Sequence, residues 1–128
     1  MIDLTKLNEQ QKKAVLDTEG PVLVFAGAGS GKTRVLTYRI AHLIGDMNVN
    51  PWNVLAITFT NKATNQMKER LNDMLGENGV WISTFHSLCV KILFRFCEKI
   101  GYTSGFSIYD ESASNRLLSR VLREKHLE

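Results

Sequence analysis

The chain has 128 residues, 44% of them apolar and 23% charged, with a formal net charge of +3. That is one domain or part of one, ordinary for a globular protein and long enough to bury a core. No run approaches the roughly 18 apolar residues of a membrane span, and Met1-Ile2-Asp3-Leu4 carries an early acid and no long apolar segment. A membrane partner and a secretory signal are therefore not expected, and the setting is read as cytoplasmic. Most of the excess Lys and Arg is scattered rather than blocked. Such a charge permits a polyanionic partner without indicating one.

In chain order, Asn8 to Asp17 reads as a short helix that Asn8 can cap, with Gln11 placed to complete a capping box. Val22-Leu23-Val24-Phe25-Ala26 follows as a continuous apolar run between Gly20-Pro21 and a glycine-rich turn. It reads as a strand covered on both faces. From Lys32 to Ile44, Val35, Leu36, Ile40, Leu43 and Ile44 recur at helical spacing. Val54-Leu55-Ala56-Ile57-Thr58-Phe59, entered through Pro51, is a second strand. The next helix is Asn61 to Leu75, with Ala63, Met67, Leu71, Met74 and Leu75 on one face and Gly76 as its stop.

Val80-Trp81-Ile82-Ser83-Thr84 is a third, shorter strand. A helix from about Phe85 to Ile100 presents Leu88, Ile92, Phe96 and Ile100. It also holds Cys89 and Cys97, which lack metal-site spacing and are read as reduced thiols. Gly101 to Gly105 forms a turn, and Asp110 caps a last helix with Leu117, Leu118, Val121 and Leu122 as its stripe. Strand and helix in alternation argue an α/β fold, a parallel sheet with flanking helices joined by right-handed crossovers.

The strongest chemical signal is Ala26-Gly27-Ala28-Gly29-Ser30-Gly31-Lys32-Thr33 between a strand and a helix. Small residues let the backbone wrap a phosphate, so that several N–H groups and the helix N-terminus face its oxygens. Lys32 is placed to neutralise the β and γ phosphates of a nucleotide, and the Thr33 hydroxyl to ligate Mg²⁺. The usual pattern starts with glycine where this chain has Ala26, which is tolerable if that residue keeps a negative φ. A phosphate loop by itself leaves kinases, GTPases, transporters and helicases open.

The flanking residues narrow that choice. Leu7-Asn8-Glu9-Gln10-Gln11 with Ala14-Val15, the loop followed by Arg34, Thr58-Phe59-Thr60-Asn61-Lys62-Ala63, and Ser83-Thr84-Phe85-His86-Ser87 stand in one order. Over essentially its whole length the chain resembles the UvrD/Rep/PcrA family of superfamily 1 DNA helicases. The resemblance implies a P-loop NTPase (RecA-like) sheet, incomplete here. Residues 1–105 are then the N-terminal part of an ATP-binding motor domain, and residues 106–128 begin a helical insertion.

It further implies that Gln11 reads adenine, since an amide donates and accepts together, although Gln11 can equally serve only the helix cap. Arg34 resembles a second base-side contact. Phe59, Thr60, Asn61 and Lys62, where a strand meets a helix, resemble the family's single-stranded DNA motif. An aromatic beside hydroxyl, amide and ammonium groups can stack a base and hold a phosphate, while Phe59 could also be core. Thr84 and His86 match a further DNA-side motif, with a helix cap the plainer role for Thr84 and a structural role the plainer one for His86. Thr64 stands where many members carry alanine.

Hydrolysis also needs an acidic strand end and arginines, which the family supplies beyond Glu128, partly from a second motor domain. Phe106-Ser107-Ile108-Tyr109-Asp110-Glu111 imitates such an acidic strand end. Ser107 and Tyr109 interrupt its apolar run and a helical pattern resumes at once, so Asp110 is read as a cap. The expected whole is an ATP-dependent 3′-to-5′ helicase acting on single-stranded and duplex DNA, of which this chain alone is inactive. A helicase–nuclease, a small P-loop kinase or regulatory NTPase, and a non-catalytic nucleic-acid module are the other readings.

Overall fold

The computed structural model describes residues 1–127. Helix α1 spans Glu9–Leu16, α2 Lys32–Gly45, strand β1 Leu55–Thr58, α3 Asn61–Leu75, β2 Trp81–Thr84, α4 Phe85–Phe96 and α5 Glu111–Glu124. Short 3₁₀ turns cover Pro51–Asn53 and Cys97–Ile100. The chain divides into two compact units, Met1–Val90 and the residues from Lys91 onward.

Local chemistry sets most of these boundaries. Asn8 accepts from the Gln11 amide nitrogen at 2.9 Å, and the Gln11 side chain accepts from the Asn8 nitrogen at 3.0 Å, which completes the expected capping box of α1. Thr60 caps α3 by accepting from the Ala63 nitrogen at 3.1 Å, and Gly76, at φ 73°, ends that helix. Asp110 caps α5 by accepting from the Ala113 nitrogen at 2.7 Å. The Asp-Glu pair after Phe106 thus opens a helix rather than ending a strand.

In the first unit β1 and β2 pair in parallel, Leu55 opposite Trp81 and Thr58 opposite Thr84. A parallel pair cannot be joined by a tight hairpin, and α3 is the crossover between them. The core gathers Ile40 and Ala41 of α2, Met67 and Leu71 of α3, Ala56 of β1 and Ile82 of β2, with Ile2, Ile44, Val54, Met74, Leu75 and Val80 around them. Asp46 ties the N-terminus to this core: its carboxylate accepts from the Ile2 nitrogen at 2.9 Å and meets His42 Nδ1 at 2.7 Å. The His42 hydrogen bond is the main reason that this carboxyl sits below its ordinary range.

Three expectations need correction. Val22–Ala26 is not a strand, and Leu23 and Phe25 are 78% and 90% exposed. Apolar composition supplies β propensity, but a strand exists only through its ladder, and among the described residues β1 and β2 pair only with each other. The sheet described is accordingly two-stranded. The helix expected to reach Ile100 leaves α geometry at Phe96, whose φ and ψ are −126° and 10°. The inner face of α2 is also rotated: Thr37, Ile40 and Ala41 are buried, while Leu36 is exposed.

The second unit is held by aromatic contacts. Phe94 stacks on Phe106 at 4.9 Å, Tyr102 meets Phe106 edge-on at 6.1 Å, and Cys97 is buried. Of the stripe expected on α5, Leu117, Leu118 and Val121 are exposed and Leu122 is partly buried. Among the described residues, no helix is long and apolar enough to cross a membrane.

Candidate nucleotide and nucleic-acid sites

The glycine-rich loop ends on the first turn of α2. Gly31 is its N-cap, in the left-handed region at φ 87°, and supplies no side-chain cap. The first N–H groups of the helix therefore keep no internal partner and carry its positive end. Gly29 also holds a positive φ, 73°, whereas Ala26 does not, which meets the condition for alanine at that position. Cβ atoms built on Gly27 or Gly29 would meet nothing within 4 Å, so the space over the loop is open.

Three polar side chains are turned onto loop carbonyls. Lys32 Nζ donates to the Gly27 oxygen at 2.7 Å and to the Ala26 oxygen at 3.2 Å. Gly27 also accepts from the Ser30 hydroxyl at 2.7 Å. Gln11 Nε2 donates to the Ser30 oxygen at 3.0 Å. Gln11 therefore closes the cap of α1 and also reaches the loop.

Two clefts flank the loop. One, of about 530 Å³, runs between α1 and α2 and is lined by Gln11, Phe25, Ala26, Lys32, Leu36 and Arg39 among others. The other, of about 760 Å³, has Lys32, Thr33 and Arg34 on one side and Gln66, Arg70 and Asp73 of α3 on the other. Arg34 lies 6.0 Å from the centroid of the Tyr38 ring.

The second set of candidates sits at the carboxyl end of the sheet, where ligands of open α/β folds bind. Phe59 is 81% exposed there, and Thr60, Asn61 and Lys62 are exposed beside it. Thr58 is opposite Thr84 in register, which brings Phe85 and His86, both exposed, to the same edge. Thr84 itself is buried, and its hydroxyl accepts from the Ser87 nitrogen at 3.2 Å, the cap role. Thr64 is buried and shares a 2.6 Å hydrogen bond with Thr58, so the hydroxyl at that position is satisfied.

The model of the UvrD/REP helicase N-terminal domain matches residues 7–128 of this chain. The chain belongs to the UvrD/REP helicase family. Among relatives, it is 54% identical over 125 residues to the ATP-dependent DNA helicase PcrA of Leuconostoc citreum, covering 95% of the chain. It is 52% identical over 127 residues, 98% of the chain, to the PcrA of Bacillus subtilis strain 168. The corresponding figure for the Staphylococcus aureus strain Mu50 PcrA is 49% over 127 residues. The chain spans 17% of the length of each of these relatives.

Arg39 and Arg70 line the two clefts but lie outside the sequence motifs. Arg70 had a signal: Lys62, Gln66 and Arg70 are spaced four apart, which aligns them along one face of α3. Arg39 had none, because its acceptors lie more than twenty residues away.

Proposed function

We propose that this chain is the ATP-binding N-terminal portion of an ATP-dependent DNA helicase motor with a P-loop, RecA-like sheet. Residues 1–105 belong to the motor domain and residues 106–128 begin a helical insertion. The observation that carries this reading is the double use of α3. Its start presents the exposed Phe59 and the Thr60–Lys62 group at the sheet edge, and its side walls the cleft beside Lys32 and Thr33. One rigid helix thus joins a phosphate-binding loop to a surface suited to nucleic acid. The names of the PcrA relatives agree with that pairing.

In this reading the backbone of Ala26 to Thr33 wraps the phosphates of ATP, and Lys32 leaves the Gly27 and Ala26 carbonyls to neutralise them. Gln11 leaves the Ser30 carbonyl to read adenine, and Arg34 lies on the base side. Mg²⁺ usually keeps several waters and takes few protein ligands beside phosphate oxygens. The Thr33 hydroxyl, a hard oxygen on the first turn of α2 and facing the larger cleft, fits such a role. When bound, the ion offsets phosphate charge. Phe59, Thr60, Asn61, Lys62 and His86 hold single-stranded DNA, and Thr84 positions the last of these by capping α4. The acidic group that orients water and the arginines that stabilise the transferring phosphoryl group come from the remaining polypeptide, including a second motor domain.

Translocation runs 3′ to 5′ and unwinds duplex DNA. The test is unwinding of duplexes with a single-stranded tail on either the 3′ or the 5′ end by the intact helicase. ATP-dependent opening confined to 3′-tailed duplexes is expected. Opening confined to 5′ tails would refute the direction, and no ATP-dependent opening of either would refute the helicase reading.

A further inference from the structure

Arg39 lies outside every motif described above. Its Nη1 donates to the Ala14 carbonyl at 2.8 Å and also to the carbonyl of Asp17. Both acceptors stand at the C-terminal end of α1, where the last carbonyls lack helical partners and carry the negative end of the helix dipole. A guanidinium there makes charge-assisted bonds to backbone that no substitution in α1 side chains removes. At the other end of α1, Gln11 reaches the Ser30 carbonyl, and Arg39 and Gln11 line the same cleft.

The helix also packs against α2 and carries the Asn8–Gln11 capping box. α1 has eight residues, of which Val15 is the buried one. A helix this short has little stability of its own. If Gln11 turns from Ser30 to a nucleotide base, its own tie to the loop is lost, while the Arg39 bonds are unaffected. We infer that Arg39 is a positioning residue for base recognition, holding α1 against α2 so that Gln11 is presented to adenine. The inference rests on the proposed role of Gln11. Arg39 spends its donors on the α1 backbone, so its effect is on selectivity rather than on chemistry.

The experiment is steady-state hydrolysis of ATP and of GTP by the intact helicase at saturating single-stranded DNA. Arg39→Met, which keeps an apolar stem and loses the donors, is compared with Arg39→Lys and Gln11→Ala, with thermal midpoints for each. A guanine edge does not match the amide as adenine does, so GTP reports phosphate binding without base reading. Arg39→Met is expected to raise KM for ATP about tenfold, the worth of one charged hydrogen bond. It is expected to leave kcat and the KM for GTP nearly unchanged, with Arg39→Lys intermediate. Equal changes for ATP and GTP, or a lower midpoint with the ATP preference intact, would overturn the inference.

If Gln11→Ala loses the preference and Arg39→Met keeps it, the inference alone fails. If Gln11→Ala keeps it, adenine reading by Gln11 fails and the inference falls with it. Should Arg39→Met not fold, Arg39→Lys decides: partial loss of preference supports the inference, and full preference overturns it.

Discussion

Gly31 shows how one residue can serve backbone and site together. It holds φ at 87°, and a Cβ there would stand 3.0 Å from Gln11 Nε2. Gly31→Ala therefore meets both a left-handed backbone penalty of about 1–2 kcal/mol and a displaced Gln11. Denaturant unfolding is expected to show that loss, and nucleotide titration a weaker affinity. Phe59 is the opposite case, a large apolar side chain that is 81% exposed. Phe59→Ala is expected to leave stability within about 0.5 kcal/mol while weakening single-stranded DNA binding by about 1–3 kcal/mol, the worth of one stacked base. Fluorescence anisotropy with a labelled oligonucleotide measures the second effect. The loop glycines, the Asn8–Gln11 box and the Asp110 cap were legible in sequence because their partners lie within a few residues. The Arg39 bonds were not, because pairing across 22 and 25 positions leaves no local pattern.

At the scale of elements, α3 is fixed at both ends by Thr60 and Gly76 and through its middle by Met67 and Leu71. Met67→Ala is expected to cost about 2–5 kcal/mol, as large-to-small changes at fully buried sites do, readable in the same unfolding experiment. The end of α2 is pinned by Asp46, whose carboxyl is lowered from its ordinary 3.8 chiefly by the His42 hydrogen bond and further by the Ile2 nitrogen and the N-terminal ammonium. A folded-state value depressed in this way adds stability that is full above the ordinary value and is lost as pH falls through the lowered one. The stability gap between the native chain and Asp46→Asn is thus expected to hold steady just above pH 3.8 and to narrow below it. Helices were the legible elements, since periodicity and caps are local properties. The Val22–Ala26 run has a composition that suits a strand, but strand formation depends on neighbours that composition does not name.

For the whole molecule, the same run is the apolar segment that the described sheet leaves unpaired. Leu23 and Phe25 are exposed beside a two-stranded sheet, and the chain spans 17% of its relatives' length. Hydrogen exchange is expected to be fast at the Val22–Ala26 amides in this chain and slow in the intact protein, where the proposed sheet gives them ladder partners. Family membership was legible because four motifs keep one order, a pattern that survives even where one expected strand does not form. The most direct test of the proposed motor is Mg²⁺-dependent ATP turnover by the intact protein, with and without single-stranded DNA, beside Lys32→Ala. Turnover that DNA stimulates and Lys32→Ala abolishes is the predicted result. Turnover indifferent to DNA, or surviving in Lys32→Ala, would contradict the assignment of Ala26 to Thr33 as the phosphate site of a DNA-driven motor.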